Sequence, residues 1–367
     1  MKKTTIGIIG TKGYGVIYSG FETFVKNLVD KTSNYFYFYL FSRSNYERKA
    51  SEKNNFKDIT LPVVKGKYLE TPVYALFSTI YSLFLSLDVI LYLSVANTPF
   101  LWLQRLRKRK VLVNVDGLDW KRARWSLLGK IYLRICELIS IRFSDIIIAD
   151  SKYISTYYKK THNLVNVKYI AYGADLNSKK NKTILKKFNL RGNDYFLFVG
   201  RLVPENKVED LLQAFLKLKT NYKCVIVGEA FYEDKYKKKL LAIAKSDKRI
   251  IFTGILRDSE YTEMVKNAYC YVETKTVGGT HPSLLEAMLC AKFIIARNIP
   301  EHKEVLHDAG VYFLNSHPIN DLYKKMQYYL NRPKIVKEMS QLTLKRVKKY
   351  YNWKTVINEY QNLFSNH

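Results

Sequence analysis

The residues best suited to chemistry lie at positions 275–288, which read KTVGGTHPSLLEAM. This stretch starts as a loop that contains Gly278, Gly279 and Thr280. The pattern then predicts a helix that starts at His281, Pro282 and Ser283. Glycines leave backbone N–H groups uncovered, and a helix start adds unpaired donors and the positive end of a dipole. We therefore expect this stretch to bind a phosphate or a pyrophosphate.

Glu286 lies about one turn into the same predicted helix. Its carboxylate is expected near enough to the loop to accept hydrogen bonds from sugar hydroxyls. A purely structural alternative is a capping box, in which Ser283 and Glu286 satisfy backbone donors at the helix start. On this stretch alone the capping box is the better interpretation, so the rest of the chain has to decide between them.

The charge of the chain indicates an anionic partner. Its 367 residues include 61 Lys and Arg against 32 Asp and Glu, a formal net charge of +29. Such an excess favours nucleic acid, an anionic membrane surface or a phosphorylated substrate. The lysines are spread along the chain and no nucleic-acid motif accompanies them, so a nucleic-acid-binding protein is the weaker alternative.

The cysteines and histidines show neither a C-x-x-C pair nor the spacing of metal ligands. All four cysteines have apolar neighbours, which predicts reduced thiols in a cytoplasmic protein. The N-terminus runs straight into a strand and lacks the pattern of a signal peptide. The uncharged stretch at 73–87 is shorter than the roughly 20 residues that span a bilayer, and Asp88 ends it.

Alternating strand and helix patterns predict two doubly wound α/β domains that face a cleft. We place the first domain at 1–175 and the second at 190–345, with a polar linker at 175–192. A polar, Lys/Asn-rich region reaches to residue 60 within the first domain. The C-terminal helix within 346–367 is amphipathic and is expected to pack back on the first domain.

The loop GTKGYG at 10–15 can be compared with the glycine fingerprint of nicotinamide-binding proteins. Gly13 and Gly15 supply two glycines of the dinucleotide fingerprint, but Tyr18 occupies the position of the third. No acidic residue ends a clear second strand about 20 residues later. A nicotinamide-dependent dehydrogenase is therefore only weakly supported.

Four motifs in sequence order resemble the retaining glycosyltransferases with two Rossmann-like domains, known as the GT-B type. The motifs are GTKGYGVIYSGFETFV, NVDGLDWKRARW, GRLVPEN and VGGTHPSLLEAM. Together they resemble the bacterial rhamnosyltransferase branch, which makes capsular and cell-wall polysaccharides. The resemblance covers nearly the whole chain.

The resemblance implies a donor site, largely in the second domain. Glu286 matches the second acid of the family's Glu-x7-Glu motif, which binds the ribose, whereas Gly278 stands where the first acid belongs. Contacts to the sugar hydroxyls then fall to the backbone, Thr280 and His281. Arg201 matches an arginine that reaches the diphosphate. The other implied donor-binding residues are Gly13, Gly15, Gly20, Lys207, Gly279 and Ser283, with Lys207 replacing a lysine expected at Asn206.

The resemblance also implies where the acceptor binds and which residues catalyse transfer. Asp116 takes the place of a polar residue that contacts the sugar, and Ser19 stands where the branch has glycine. The candidate catalytic residues are Asp116, Arg201 and Glu286. The candidate residues on the acceptor side are Glu22, Asp119, Trp120 and Arg122.

The implied reaction is glycosyl transfer from a nucleoside diphosphate sugar with retention at the anomeric carbon. Cationic side chains, loop amides and the helix dipole are expected to stabilise the departing diphosphate without a metal or another cofactor. The resemblance implies dTDP-L-rhamnose as donor and a lipid-diphosphate-linked saccharide as acceptor. The basic, aromatic N-terminal surface is expected to meet anionic lipid on the inner face of the cell membrane. A UDP- or GDP-sugar donor and a sugar-nucleotide epimerase are alternatives.

Overall fold

The structure is a computed structural model that describes residues 3–16, 20–32, 34–46, 54–64, 66, 68–123, 125–176, 183–230 and 234–365. It divides into two compact units. The first unit comprises Met1–Gly173 and Trp353–His367, and the second comprises Ala174–Asn352. The boundary that we placed at 346 falls inside a helix of the second unit, Pro333–Tyr350.

The first unit alternates strands and helices along the chain. Its strands are β1 (Thr4–Ile9), β2 (Phe36–Arg43), β3 (Phe56–Leu61), β4 (Val89–Leu93), β5 (Lys110–Asn114), β6 (Ile146–Ala149) and β7 (Val167–Tyr169). Its first helices are α1 (Gly20–Lys31), α2 (Glu70–Leu83), α3 (Leu127–Phe143) and α4 (Lys152–Thr161). The strands are parallel in the order β3-β2-β1-β4-β5-β6-β7. The order changes direction between β1 and β4, and ligands of such sheets bind beyond the carboxyl ends of the strands at that switch.

The second unit has the same alternation. Its strands are β8 (Tyr195–Val199), β9 (Lys223–Val227), β10 (Ile250–Gly254), β11 (Cys270–Glu273), β12 (Phe293–Arg297) and β13 (Val311–Phe313). Its helices are α5 (Thr183–Lys187), α6 (Val208–Leu216), α7 (Asp234–Ala244), α8 (Asp258–Lys266), α9 (Pro282–Leu289), α10 (Pro300–Leu306), α11 (Pro318–Leu330) and α12 (Pro333–Tyr350). The parallel order β10-β9-β8-β11-β12-β13 changes direction between β8 and β11.

The last helix, α13 (Trp353–Ser365), completes the core of the first unit. The Tyr360 ring packs against Phe24 with 4.9 Å between the ring centroids. Its hydroxyl accepts a hydrogen bond from Asn114 Nδ2 at 2.8 Å. Lys110 Nζ donates to the carbonyl of Leu363 at 2.9 Å. These contacts hold α13 against α1 and β5.

The predicted fold class, two parallel Rossmann-like α/β halves, is confirmed. Two elements lie where we expected irregular chain. β3 occupies part of the polar region before residue 60. The residue pattern did not predict it because β3 is an edge strand with few buried side chains, among them Ile59 and Leu61. α5 lies inside the predicted linker. No helix in the described part of the chain combines the length and the apolar character needed to cross a bilayer.

Candidate functional site

The glycine-rich loop connects β11 to α9 at the switch point of the second sheet. Gly278 has a φ of +153°, and a Cβ there would collide with the imidazole of His281, so the position requires glycine. His281 is the N-cap residue of α9, and among the described residues no side chain caps this helix start. In the described part of the chain, no side-chain cap therefore competes with an anion for the backbone donors at the start of α9.

The capping-box alternative is wrong. Ser283 Oγ accepts hydrogen bonds from Tyr271 Oη at 3.1 Å and from Lys275 Nζ at 3.3 Å, instead of capping the helix. The carboxylate of Glu286 accepts a hydrogen bond from Tyr261 Oη at 2.5 Å. Both side chains are therefore held by neighbouring residues away from the backbone donors.

The ionisation of Glu286 lies close to neutral pH. Burial raises the pKa of its carboxyl to about 7, and the nearby carboxylate of Asp175 adds to the increase. The hydrogen bond from Tyr261 acts in the opposite direction and keeps the pKa from rising further. A carboxyl that titrates near the working pH at a helix start is typical of a functional site.

The GRLVPEN segment and the glycine-rich loop are in direct contact. The Thr276 amide donates to the carbonyl of Glu205 at 3.0 Å, and Thr274 Oγ1 donates to the carbonyl of Asn206 at 2.5 Å. Arg201 follows the carboxyl end of β8 and is half-buried. Within the described ranges its guanidinium forms no ion pair with a carboxylate. The structure thus brings two of the predicted motifs together at the switch point.

Lys207 directly follows the GRLVPEN segment. Its backbone is left-handed, with a φ of +48°, and its side chain is 44% exposed. Its ammonium is 3.9 Å from Glu209 Oε1. The side chain of Asn206, one position earlier, donates to the carbonyl of Arg201 at 2.6 Å. For Lys207, the described residues show no contact with the glycine-rich loop.

A buried charged pair that the sequence did not predict lies where β11 leads into the glycine-rich loop. Glu273 ends β11 and is fully buried, and its Oε2 is 2.9 Å from Lys275 Nζ. His281 Nδ1 is 3.7 Å from the same oxygen. The signal was an acid and a lysine two residues apart at the end of an apolar strand, where charged residues are rarely buried without a role.

These residues also form a cluster that could hold a cation. Ligand atoms of Glu273, His281 and His302 lie within 4.8 Å of one another. Burial lowers the pKa of His302 to about 4, so its ring is neutral, and its Nδ1 lies 2.9 Å from the carbonyl of Arg297. However, the Lys275 ammonium already neutralises Glu273. The arrangement therefore favours an internal ion pair over a divalent cation.

The predicted glycine loop of the first unit follows β1, at the switch point of the first sheet. Gly13 and Gly15 have positive φ angles in this loop, and Gly20 is the first residue of α1. Ser19 lies outside the described residues. Glu22 is buried and accepts a hydrogen bond from the Lys12 amide at 3.0 Å, so it holds the loop.

Three of the predicted acceptor-side and catalytic residues meet after β5. Arg122 Nε donates to Asp119 Oδ1 at 2.6 Å, and Arg122 Nη2 is 3.8 Å from Asp116 Oδ2. Ser94, which follows β4, donates to Asp119 Oδ2 at 2.9 Å. Asp116 has a φ of +45° and remains 29% exposed at its side chain. Of the three, it is the residue most accessible to a ligand.

Trp120 lies beside this cluster. The guanidinium of Arg134, on α3, stacks over its ring at 3.4 Å from the centroid. The ring is half-buried. The stacked pair fixes the orientation of the Trp120 ring at the edge of the Asp116 cluster.

A second charged cluster that the sequence did not predict includes Lys12 of the first glycine loop. Glu70 Oε1, at the start of α2, is 3.0 Å from Lys12 Nζ and 2.6 Å from Arg43 Nη1. Burial lowers the pKa of the Lys12 ammonium to about 8, and the Arg43 charge adds to this effect while Glu70 opposes it. No local pattern joins these residues, because they come from three separate elements.

Each half of the chain matches the model of a known protein family. Residues 180–346 match the family model described as glycosyl transferases group 1. The second unit is a group 1 glycosyltransferase domain. Residues 3–175 match a domain of unknown function, DUF1972. The candidate donor residues from Arg201 to Glu286 all lie inside the glycosyltransferase domain.

Known proteins resemble this chain at low identity. An uncharacterized glycosyltransferase of Methanocaldococcus jannaschii is 24% identical over 275 residues, which cover 71% of this chain and 69% of the relative. The O-antigen chain mannosyltransferase B of Escherichia coli is 25% identical over 132 residues, 35% of each chain. The structure of Anabaena HepE in complex with UDP-glucose has a TM-score of 0.81 at 15% identity and covers 99% of this chain and 100% of its own. The last comparison shows the fold alone.

Proposed function

We propose that this glycosyltransferase moves a sugar from a nucleoside diphosphate sugar to a saccharide acceptor in polysaccharide synthesis, with retention at the anomeric carbon. The observation that carries the proposal is the contact of the Arg201 segment with the glycine-rich loop before α9, at the switch point of the second sheet. The UDP-glucose complex of HepE and the mannosyltransferase relative of Escherichia coli support the substrate class and the pathway.

The chemistry follows from where charge develops. When the bond between the anomeric carbon and the leaving oxygen breaks, the electron pair stays on the diphosphate. In this proposal the Arg201 guanidinium, the loop amides at 278–280 and the dipole of α9 stabilise that charge without a metal. Glu286 accepts hydrogen bonds from the ribose hydroxyls. The leaving phosphate oxygen takes the proton of the acceptor hydroxyl on the same face of the sugar, and Asp116 orients the sugar.

We propose dTDP-L-rhamnose as the donor. Gly278 stands where the resemblance places an acid that contacts hexose hydroxyls, and no Cβ fits at this position because of His281. Rhamnose carries no hydroxyl at C6, so it needs fewer such contacts than an ordinary hexose. A UDP- or GDP-sugar is the alternative donor.

We propose a lipid-diphosphate-linked saccharide as acceptor, met at an anionic membrane surface. The support is an apolar stripe on α3, whose side chains Leu127, Leu128, Ile131, Ile135 and Leu138 are exposed. Arg107 and Lys108 are exposed as well. Arg109 and Lys110 are not part of this surface, because they donate to backbone carbonyls within the unit. Exposed apolar and basic side chains are typical of binding at a lipid interface.

A thermal-unfolding panel with dTDP, UDP, GDP, NAD and a short single-stranded oligonucleotide tests the proposed function. A ligand at 100 times its dissociation constant adds about 2.7 kcal/mol to the free energy of unfolding, which is readily measured. Stabilisation by dTDP alone is the expected result. Stabilisation by UDP or GDP instead keeps the transferase and rejects rhamnose, and a response to NAD or the oligonucleotide alone contradicts the assigned site. Turnover of the nucleotide sugar without any acceptor would favour an epimerase.

A further inference from the structure

The Lys275 side chain is buried at the start of α9. It is 8% exposed, and its Nζ donates to Glu273 Oε2 at 2.9 Å and to Ser283 Oγ at 3.3 Å. An ammonium has three N–H donors, so two neighbours of this kind leave one donor for a further acceptor. The side chain thus points to the helix start where the proposed diphosphate binds.

The electrostatics of this position favour an anion. A helix start carries about half a positive charge, so a cation there is repelled while an anion is stabilised. Glu273 offsets the Lys275 charge, and the N-cap residue His281 also lies 3.7 Å from Glu273 Oε2, but among the described residues the guanidinium of Arg201 forms no ion pair with a carboxylate. A buried site with this excess of positive charge is stable only when an anion or water compensates it.

The Lys275 side chain also reaches the Arg201 segment. A Cβ at Gly200 would lie 3.2 Å from Lys275 Cε and 3.3 Å from Asn206 Nδ2. The Lys275 side chain therefore passes over Gly200, which directly precedes Arg201. The side-chain amide of Asn206 lies beside the same glycine. The glycine at 200 provides the space that this crossing requires.

We propose that Lys275 contacts the diphosphate of the donor and stabilises it as the sugar leaves, with Glu273 as its positioning residue. In this arrangement Lys275 performs the task that the sequence assigns to Lys207, whose ammonium faces Glu209. No proton is transferred by Lys275: the electron pair of the broken bond stays on the phosphate oxygen, and the ammonium stabilises that charge. This inference rests on the proposed binding of a nucleoside diphosphate.

Binding measurements on Lys275→Met test the proposal. We measure the dissociation constants of UDP, UMP, dTDP, dTMP, GDP and GMP by calorimetry for the wild type and the variant. The quantity compared is the preference for diphosphate over monophosphate with the base that binds. A charge-assisted hydrogen bond contributes about 1.5–3 kcal/mol, so the variant should lose this preference by roughly tenfold or more.

Two further variants separate binding from folding. Lys292→Met removes another buried lysine, whose Nζ donates to the carbonyls of Lys266 and Ala268 beside the amino end of β12. It should leave the diphosphate preference unchanged even if it lowers the melting temperature. The double variant Glu273→Gln with Lys275→Met leaves no unpaired buried charge, and it should show the same loss as Lys275→Met alone.

The outcomes distinguish this proposal from the proposed function. If the wild type binds none of the three diphosphates, the proposed function fails. If the wild type binds a diphosphate and both Lys275 variants keep its preference over the monophosphate, Lys275 is structural and the present inference is overturned. Loss of the preference in Lys207→Ala but not in Lys275→Met would also overturn it, and would return the role to Lys207.

Discussion

Tyr261 Oη donates a hydrogen bond to the carboxylate of Glu286 across 2.5 Å. Tyr261 lies on α8, and Glu286 lies about one turn inside α9. The bond favours the ionised carboxylate at a place where burial favours the neutral acid. The balance of the two effects sets the pH at which Glu286 becomes an ionised hydrogen-bond acceptor.

Tyr261→Phe removes this hydrogen bond and should raise the pKa of Glu286 above about 7. Because donor binding requires the ionised form, kcat/KM should fall at neutral pH and recover at higher pH. The measurement is the pH profile of transfer, or of nucleotide binding where the acceptor is undefined. Tyr328→Phe is the matched control on α11, and its profile should coincide with that of the wild type. An unshifted profile in Tyr261→Phe would show that Glu286 does not titrate in the reaction.

Glu286→Gln should stabilise the fold at pH 8 while it weakens donor binding. The pKa of about 7 in the folded state lies above the ordinary carboxyl pKa of 4.5, so the folded state binds the proton more tightly. The contribution of Glu286 to stability is therefore fully present below about pH 4.5 and is lost as the pH rises towards 7. We expect the variant to be about 1–2 kcal/mol more stable at pH 8, since solvent screens a half-buried group, and unchanged at pH 4. Urea unfolding at both pH values measures this.

Arg201→Ala should lower kcat/KM by roughly 100- to 1,000-fold, as loss of a group that stabilises developing charge does in other enzymes. Arg332→Ala serves as the control. Arg332 lies in the same unit, next to the C-terminal end of α11, and donates to the carbonyl of Tyr328. Equal activity of the Arg201 variant and the wild type would contradict the assignment of Arg201 to the diphosphate.

The apolar stripe of α3 gives a separate prediction for the membrane. Leu128→Lys introduces a charge where 78% of a leucine side chain is exposed, and it should reduce binding to vesicles that contain anionic lipid. Val165→Lys, at a side chain that is 89% exposed elsewhere in the first unit, should bind like the wild type. Sedimentation with vesicles measures both. Undiminished binding of the Leu128 variant would exclude α3 from the lipid contact.

The sequence predicted the parts of the site that depend on local pattern. Strand–loop–helix periodicity placed the glycine-rich loop before α9 and Arg201 after β8, because these features follow from neighbouring residues. The position of Glu286 relative to Ser283 could not be separated from a capping box by spacing. Only the tertiary contact with Tyr261, from another helix, decided that question.

The charged pairs were missed for a physical reason. Lys275 and Glu273 belong to one strand end, but their closeness to Gly200 depends on β8 and β11 being neighbours in the sheet. Likewise, Lys12 meets Arg43 and Glu70 only because β1 and β2 pair and α2 packs near them. Such contacts depend on the order of the strands in the sheet, which cannot be deduced from the residue pattern of a single sequence.

The position of α13 has a consequence for how the protein is made. Tyr360 and Leu363 contribute to the core of the first unit, although the whole second unit precedes them in the chain. During translation, Phe24 lacks the contact with the Tyr360 ring until the ribosome has added α13. We therefore expect the second unit to finish folding first on the nascent chain, and the opening half of the gene product to be the part that chaperones protect longest.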